Sequence, residues 1–136
     1  MRVFAVSDIH VDYAENLVWI LSLDRKEYAN DILILAGDVT DKMALLEQVL
    51  VSLAASFKAV LFVPGNHELW VREDDFDCSL DKFDAIAELC KSCGVHADVF
   101  ELSDISFVPL YSWYDFSFGE PDRHLRRAWR DFRACS

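Results

Sequence analysis

The sequence is short of basic residues, of long apolar stretches and of paired cysteine motifs. Its 13 Lys and Arg are outnumbered by 24 Asp and Glu, which gives a formal net charge of −11. Such an acidic chain is poorly suited to binding nucleic acid or an anionic membrane surface, because both are polyanions. No run of about 18 apolar residues is present, so we expect no membrane-spanning helix.

Cysteine motifs are equally sparse. Cys90 and Cys93 form one C-x-x-C, and no second such pair completes a set of four zinc ligands. We expect free thiols, while a redox pair or half of a zinc site stays open as an alternative. The apolar stretch at the N-terminus is too short for a secretory signal, which favours a cytoplasmic location.

The length and composition predict a single α/β domain over residues 1–136. Short apolar runs without alternation at 2–6, 32–36 and 59–63 are typical of strands that are covered on both faces. Helical patterns separate these runs, and this order predicts a mostly parallel sheet with right-handed crossovers. The second helix is expected to start with Asp41 as its N-cap.

The region after the third strand predicts a further helix and a hairpin. The helix covers about 80–93 and ends at Gly94. Two strand candidates follow, near 99–102 and 105–110, and Ser103-Asp104 forms the expected turn between them.

The C-terminal segment differs from the acidic body in charge. Residues 123–136 contain five arginines and one acid, Asp131. Leu125, Trp129 and Phe132 recur on one face, which predicts an amphipathic helix over about 122–134 that docks on the body. A partner-binding helix, an anion-binding edge and a membrane-surface helix are the alternatives.

Polar loops follow the first three predicted strands, where functional groups of an open α/β sheet collect. These loops are Asp8-Ile9-His10, Gly37-Asp38-Val39-Thr40-Asp41 and Gly65-Asn66-His67-Glu68. Their oxygen and nitrogen donors suit divalent Mn, Fe or Zn. Asp38 lies between the other two loops and could bridge two ions, while Gly37 and Gly65 allow close backbone approach.

The three loops resemble the D-x-H, G-D-x-x-D and G-N-H-[DE] motifs of the calcineurin-like metallophosphoesterases. The resemblance implies an αββα sandwich, of which this chain carries the first sheet with its helices. It also implies the site residues. Asp8 and His10 would bind a first metal, Asp38 would bridge both metals and Asn66 would bind the second. His67 would contact the phosphoryl group or protonate the leaving oxygen, oriented by Asp41.

The activity implied by the resemblance is hydrolysis of phosphate mono- or diesters by a metal-bound hydroxide at a dinuclear site of Mn, Fe or Zn. The partner would be a small-molecule phosphoester. A nuclease is disfavoured, because the acidic body offers no basic track for a strand. The alternative function is a non-catalytic partner-binding or scaffold module of the same fold.

The later Gly-His and Gly-His-x-His motifs of the family have no counterpart here. The four histidines are His10, His67, His96 and His124, and none follows a glycine. We expect neither of the last two to substitute for the absent ligands. The resemblance therefore implies an incomplete second metal site, a truncated and weakly active chain, and an uncovered inner sheet face through which the chain could self-associate.

Overall fold

Parallel strands alternate with helices through the first two thirds of the chain. The structure, a computed structural model, describes residues 1–72, 75–112 and 116–135. The elements of this part are β1 Val3–Val6, α1 Ala14–Leu21, β2 Ile32–Ala36, α2 Met43–Ala54, β3 Ala59–Val63 and α3 Ser79–Cys93, with a 3₁₀ turn at His67–Leu69. Within the described ranges no helix is long and apolar enough to cross a membrane.

The three strands form one parallel sheet in the order β1-β2-β3. Val6 pairs with Leu35, and Leu35 pairs with Phe62, so the strands end at one common edge. The predicted runs 32–36 and 59–63 are confirmed as strands, and the first strand begins one residue later than predicted. The three loops that are predicted to carry metal ligands therefore leave the sheet side by side.

The helices cover one face of the sheet and bury the main core against it. Leu33, Leu35, Val60 and Phe62 share this core with apolar side chains of all three helices. The alternate residues of β2 and β3 point to the opposite face, where all except Ala36 are buried or half-buried. The continuous apolar runs therefore reflect burial on both faces.

The predicted end of α3 agrees with the structure, and the predicted start of α2 does not. α3 ends at Gly94, which has the left-handed φ of 71° typical of a helix C-terminus. The prediction of Asp41 as an N-cap is wrong, because α2 begins at Met43 and Lys42 occupies the N-cap position. The Thr40 hydroxyl accepts from the Lys42 N–H instead (3.2 Å), which leaves Asp41 in the loop.

A β-hairpin covers part of the second face of the sheet. β4 (Phe100–Leu102) and β5 (Ile105–Phe107) pair antiparallel around the predicted Ser103 turn, where φ is 57°. β5 ends three residues earlier than predicted. The apolar hairpin side chains pack over β2 and β3, so the expectation of an uncovered face is wrong for these strands. At β1 the face remains open, and Val3 is 46% exposed.

The C-terminal segment forms two short helices where the sequence predicted one over 122–134. α4 spans Arg123–Ala128 and α5 spans Asp131–Ala134. Trp129 between them is extended (ψ 124°). The helical period is interrupted because tertiary hydrogen bonds hold Asp131, and local helix propensity is too weak to override such contacts.

All four cysteines are free thiols. Cys90 is buried in the core, and its burial raises the pKa of the thiol to about 12. A thiol with such a pKa stays protonated at neutral pH, whereas metal binding and redox exchange both need the thiolate.

Candidate metal centre

Loop 1 (residues 7–12) follows β1 and carries Asp8 and His10. The parallel pairing of β1 with β2 continues into this loop. The Asp8 N–H donates to the carbonyl of Gly37 (3.1 Å), and the His10 N–H donates to the carbonyl of Asp38 (3.0 Å). Asn16 of α1 donates its side-chain amide to two carbonyls of the loop at 2.7 and 3.3 Å. Loop 1 is therefore fixed on both sides.

Backbone strain is concentrated at the predicted ligands. Asp8, His10 and Asp38 have left-handed φ angles of 55°, 39° and 55°. Each such angle costs a non-glycine residue about 1–3 kcal/mol, and these conformations cluster at functional sites. The strain lies in loop 1 and in loop 2 (residues 37–41), where the surrounding hydrogen bonds maintain it.

Two glycines bring loop 2 against loop 3 (residues 64–68). A Cβ atom added to Gly37, where φ is 73°, would lie 2.5 Å from the Gly65 nitrogen. A Cβ atom added to Gly65 would overlap the carboxylate of Asp38. The expectation that these glycines allow a close backbone approach is confirmed.

Glu68 links loops 2 and 3 through its buried carboxylate. Oε1 accepts from the backbone N–H groups of Val39 (2.6 Å) and Thr40 (3.1 Å). Oε2 accepts from those of Asp38 (2.9 Å) and Gly65 (2.6 Å). Burial raises the pKa of the Glu68 carboxyl above its usual range, and the four donors oppose that rise. The ionised form suits this site, because every partner is a donor.

Three candidate ligands converge at the carboxyl edge of the sheet. The ligand atoms of His10, Asp38 and His67 all lie within 4.8 Å of one another. The two imidazole rings meet edge to face, with centroids 4.6 Å apart. Imidazole nitrogen and carboxylate oxygen are donors that Mn, Fe and Zn accept, so the residues present fit a divalent cation.

The other predicted site residues surround this triad. Asp8 is exposed in loop 1 and lies outside the triad. Asn66 is half-buried, and its side-chain nitrogen donates to Asp131 Oδ1 (2.9 Å). Asp41 lies in loop 2, where its backbone carbonyl accepts from the Lys82 ammonium.

His67 is held between loop 2 and an aromatic platform. Its backbone N–H donates to Asp38 Oδ1 (3.2 Å). Its ring stacks on Trp70, with centroids 3.9 Å apart and planes inclined by 29°. Trp70 is only 6% exposed, so the platform is part of the packed interior.

A buried lysine supports the same region. Lys82 of α3 is 1% exposed, and its ammonium donates to the carbonyls of Trp70 (2.6 Å) and Asp41. These bonds join loop 2 to the backbone beside His67. A lysine within a helix ordinarily indicates a solvent-exposed position, so no feature of the sequence predicts that Lys82 is buried.

A cavity of about 720 Å³ adjoins Asn66 and Asp131. Its lining is mainly apolar and includes Val63, Leu110 and Phe132. The size falls within the range of small-molecule sites, which are about 300–1,000 Å³. The segment Trp113-Tyr114-Asp115, for which the sequence leaves open a substrate lip or packing beneath the predicted metal loops, lies outside the described residues.

Comparison with known protein families shows the family to which the chain belongs. Residues 1–132 match the family model of the calcineurin-like phosphoesterases. The chain belongs to this family. Membership confirms the resemblance drawn from the three motifs and implies divalent metal ions as cofactors of the fold.

Two curated proteins are similar to this calcineurin-like phosphoesterase. The [acyl-carrier-protein] phosphodiesterase PptH of Mycobacterium tuberculosis is 30% identical over 126 residues, covering 85% of this chain and 38% of that protein. An uncharacterised protein of Acanthamoeba polyphaga mimivirus is 25% identical over 143 residues, covering 93% of this chain and 49% of that protein.

A solved structure matches along nearly the whole chain. The phosphopantetheinyl hydrolase PptH from Mycobacterium tuberculosis superposes with a TM-score of 0.82 at 26% identity. The match covers 99% of this chain and 55% of that one. It confirms the predicted α/β metallophosphoesterase fold. The chain spans about half the length, or less, of the relatives it matches.

The two remaining histidines of this calcineurin-like phosphoesterase lie outside the triad. His96 pairs with the middle of β3, donating its N–H to the Val60 carbonyl (2.9 Å). His124 is exposed on α4. Neither histidine belongs to the cluster of His10, Asp38 and His67.

Sequence reasoning missed three residues that support the site. Glu68 was visible as the last residue of its motif, but the pattern gave no role for its carboxylate. Asp131 carried a weak signal as the one acid among five arginines. Lys82 carried none.

Proposed function

We propose that this protein is a metal-dependent hydrolase of phosphate esters. The observation that carries the proposal is the convergence of His10, Asp38 and His67, with ligand atoms within 4.8 Å of one another at the common edge of the sheet. A family that hydrolyses phosphoesters and a donor set that suits divalent ions support the same conclusion.

Four residues of this chain would hold the ions, which we propose to be two ions of Mn, Fe or Zn. Asp8 and His10 would bind one ion, Asn66 the other, and Asp38 both, since it lies between loops 1 and 3. Divalent ions supply positive charge to the phosphoryl group and make a water molecule a better nucleophile at neutral pH. An acidic protein surface is compatible with this chemistry.

His67 would protonate the leaving oxygen from its imidazole. Stacking on Trp70 restricts the orientation of the ring, and the contact with His10 keeps it beside the proposed ions. Asp41 would assist in orienting His67. Support for that role is indirect, through Lys82, which binds the carbonyls of both Asp41 and Trp70.

Among phosphoesters, we propose a small-molecule diester as the substrate class. One relative is a phosphodiesterase by name, and it matches this chain over 126 residues. The apolar cavity beside Asn66 would accommodate an uncharged organic part of such a substrate. Free thiols at all four cysteines support a reducing compartment, for which we propose the cytoplasm.

Calorimetric titration of Mn²⁺ into the full chain tests the metal site. We expect Asp38→Ala to weaken binding by at least about 100-fold, because a bridging ligand is lost and changes at supporting residues alone cost about 10–100-fold. Glu47→Ala, which removes one exposed acid from α2, should leave the affinity unchanged. Equal affinities for Asp38→Ala and the wild type would favour the non-catalytic scaffold.

The variant His67→Ala distinguishes whether His67 acts as a proton donor or as a metal ligand. For a donor, Mn²⁺ affinity persists while hydrolysis slows by about 10²–10⁴-fold. The loss should be larger for an alkyl phosphodiester than for bis(p-nitrophenyl) phosphate, since nitrophenolate leaves without protonation. Loss of Mn²⁺ affinity in this variant would instead make His67 a ligand, and unchanged hydrolysis of both esters would contradict its role.

A further inference from the structure

The carboxylate of Asp131 accepts from three side-chain donors, two of which belong to residues more than 60 positions earlier in the chain. Oδ1 accepts from Asn66 Nδ2 (2.9 Å) and from Trp70 Nε1 (2.8 Å). Oδ2 accepts from Trp129 Nε1 (2.8 Å). Asp131 itself is half-buried at the start of α5. A residue of the Arg-rich segment therefore contacts loop 3 directly.

The bond to Asn66 determines which end of that amide is available for a metal ion. An ionised carboxylate only accepts hydrogen bonds, so it must face the amide nitrogen. The opposite orientation would place the amide oxygen against Asp131 and bring two acceptors together. With the nitrogen committed to Asp131, the carbonyl oxygen of Asn66 remains as the ligand atom.

The bond to Trp70 extends the influence of Asp131 to His67. The indole N–H of Trp70 donates to the same Oδ1 atom that binds Asn66. The indole also stacks on the His67 ring at 3.9 Å. One oxygen atom thus fixes both a candidate ligand and the surface on which the candidate proton donor rests.

The backbone holds Asp131 in place for this contact. The Val71 N–H donates to the Ala134 carbonyl (2.9 Å), which attaches α5 beside the segment that follows loop 3. The Arg130 guanidinium lies over the Trp70 ring, 5.9 Å from its centroid. The extended Trp129 turns the chain at the point where a continuous helix would carry Asp131 elsewhere.

We propose that Asp131 is a positioning residue that presents the Asn66 carbonyl oxygen to a metal ion and secures the Trp70 platform beneath His67. The proposal rests on the proposed function, since it needs Asn66 as a ligand. Residues that orient metal ligands in this way affect metal affinity nearly as strongly as the ligands themselves.

Mn²⁺ titration of the full-length variants tests this role. Asp131→Ala should weaken binding by about 10–100-fold, because Asn66 is free to turn. Asp131→Asn should restore most of the affinity, since its carbonyl oxygen can still accept from Asn66 and Trp70 while its amide faces Trp129. Trp129→Phe removes only the third donor to Asp131, and it should lower the affinity less than Asp131→Ala does, since the bonds to Asn66 and Trp70 remain.

Thermal unfolding with and without Mn²⁺ distinguishes a role of Asp131 in metal binding from a role in stability alone. We expect Asp131→Ala to be less stable than the wild type without Mn²⁺, because the buried indole N–H of Trp70 loses its acceptor, and also to gain less stability than the wild type when Mn²⁺ is added. Wild-type affinity in Asp131→Ala would overturn the proposal. Equal losses in Asp131→Ala and Asp131→Asn would also overturn it, because the charge and not the orientation of Asn66 would then matter.

A measurement on the wild type covers the case in which Asp131→Ala does not fold. By NMR, the side-chain amide protons of Asn66 should be protected from exchange both before and after Zn²⁺ is added. Unprotected amide protons would contradict the proposal. If Asp38→Ala retains its Mn²⁺ affinity, the proposed function itself fails. If Asp38→Ala loses its Mn²⁺ affinity and Asp131→Ala does not, only the role of Asp131 is rejected.

Discussion

Glu68→Gln is expected to lower the free energy of unfolding by about 2–6 kcal/mol. The carboxylate accepts four backbone N–H bonds, two on each oxygen. Glutamine has one carbonyl oxygen, so its NH₂ group must face two of these donors. Each buried donor left unsatisfied costs about 1–3 kcal/mol, and a domain is stable by only about 5–15 kcal/mol.

Urea unfolding of matched variants checks this expectation. Glu88→Gln makes the same chemical change at an exposed pair, where Glu88 and Lys91 lie 2.6 Å apart on α3. Exposed pairs contribute about 0–1 kcal/mol, so this control should remain near the wild type. If Glu68→Gln were no less stable than Glu88→Gln, the carboxylate would not be the link between loops 2 and 3.

Gly65→Ala is expected to disrupt the metal site through a direct overlap with the Asp38 side chain. The added Cβ would overlap the Asp38 carboxylate and approach its backbone nitrogen to 2.8 Å. Gly65 lacks a left-handed φ, so the effect is steric. Overpacking costs about 1–3 kcal/mol, and displacement of Asp38 should weaken Mn²⁺ binding by about 10–100-fold.

Gly94→Ala provides the complementary control. Gly94 has a φ of 71°, and a Cβ there would meet nothing within 4 Å. The substitution should cost about 1–2 kcal/mol of stability through backbone strain alone. Its Mn²⁺ affinity, measured by calorimetry, should equal that of the wild type. A Gly65→Ala protein that binds Mn²⁺ as tightly as Gly94→Ala would show that the loops can separate without harm.

The elements that could be predicted are those fixed by local pattern. β2 and β3 matched the apolar runs 32–36 and 59–63, because continuous burial on both faces leaves an unambiguous signal. The end of α3 matched Gly94, since few residues other than glycine adopt that backbone conformation readily. The three loops could be placed at one edge because parallel strands end together.

The parts that could not be predicted depend on contacts between distant residues. Leu125, Trp129 and Phe132 have helical spacing, but the chain is extended at Trp129 because Asp131 bonds to residues more than 60 positions earlier. Likewise, no local pattern marks Lys82 as buried. Periodicity reports the preference of a segment, and tertiary hydrogen bonds can override it.

The candidate ligands of the site could be predicted from the sequence, whereas the residues that hold their loops in place could not. His10, Asp38 and His67 were all singled out, and the structure brings them together. Their assignment among metals, and the roles of Asp8, Asn66 and Asp41, remain proposals. The role of Glu68 could not be predicted, because a buried carboxylate is identified by its hydrogen-bond partners in the folded structure and not by the residues beside it in the sequence.

Anomalous X-ray diffraction from crystals of the full chain grown with Zn²⁺ tests the metal centre most directly. We predict an anomalous peak about 2.0–2.2 Å from an imidazole nitrogen of His10 and a carboxylate oxygen of Asp38, with the Asn66 oxygen facing the same region. A peak at Cys90 and Cys93 alone, or no peak between His10 and Asp38, would contradict the assignment of this sheet edge as a metal-dependent phosphoesterase site.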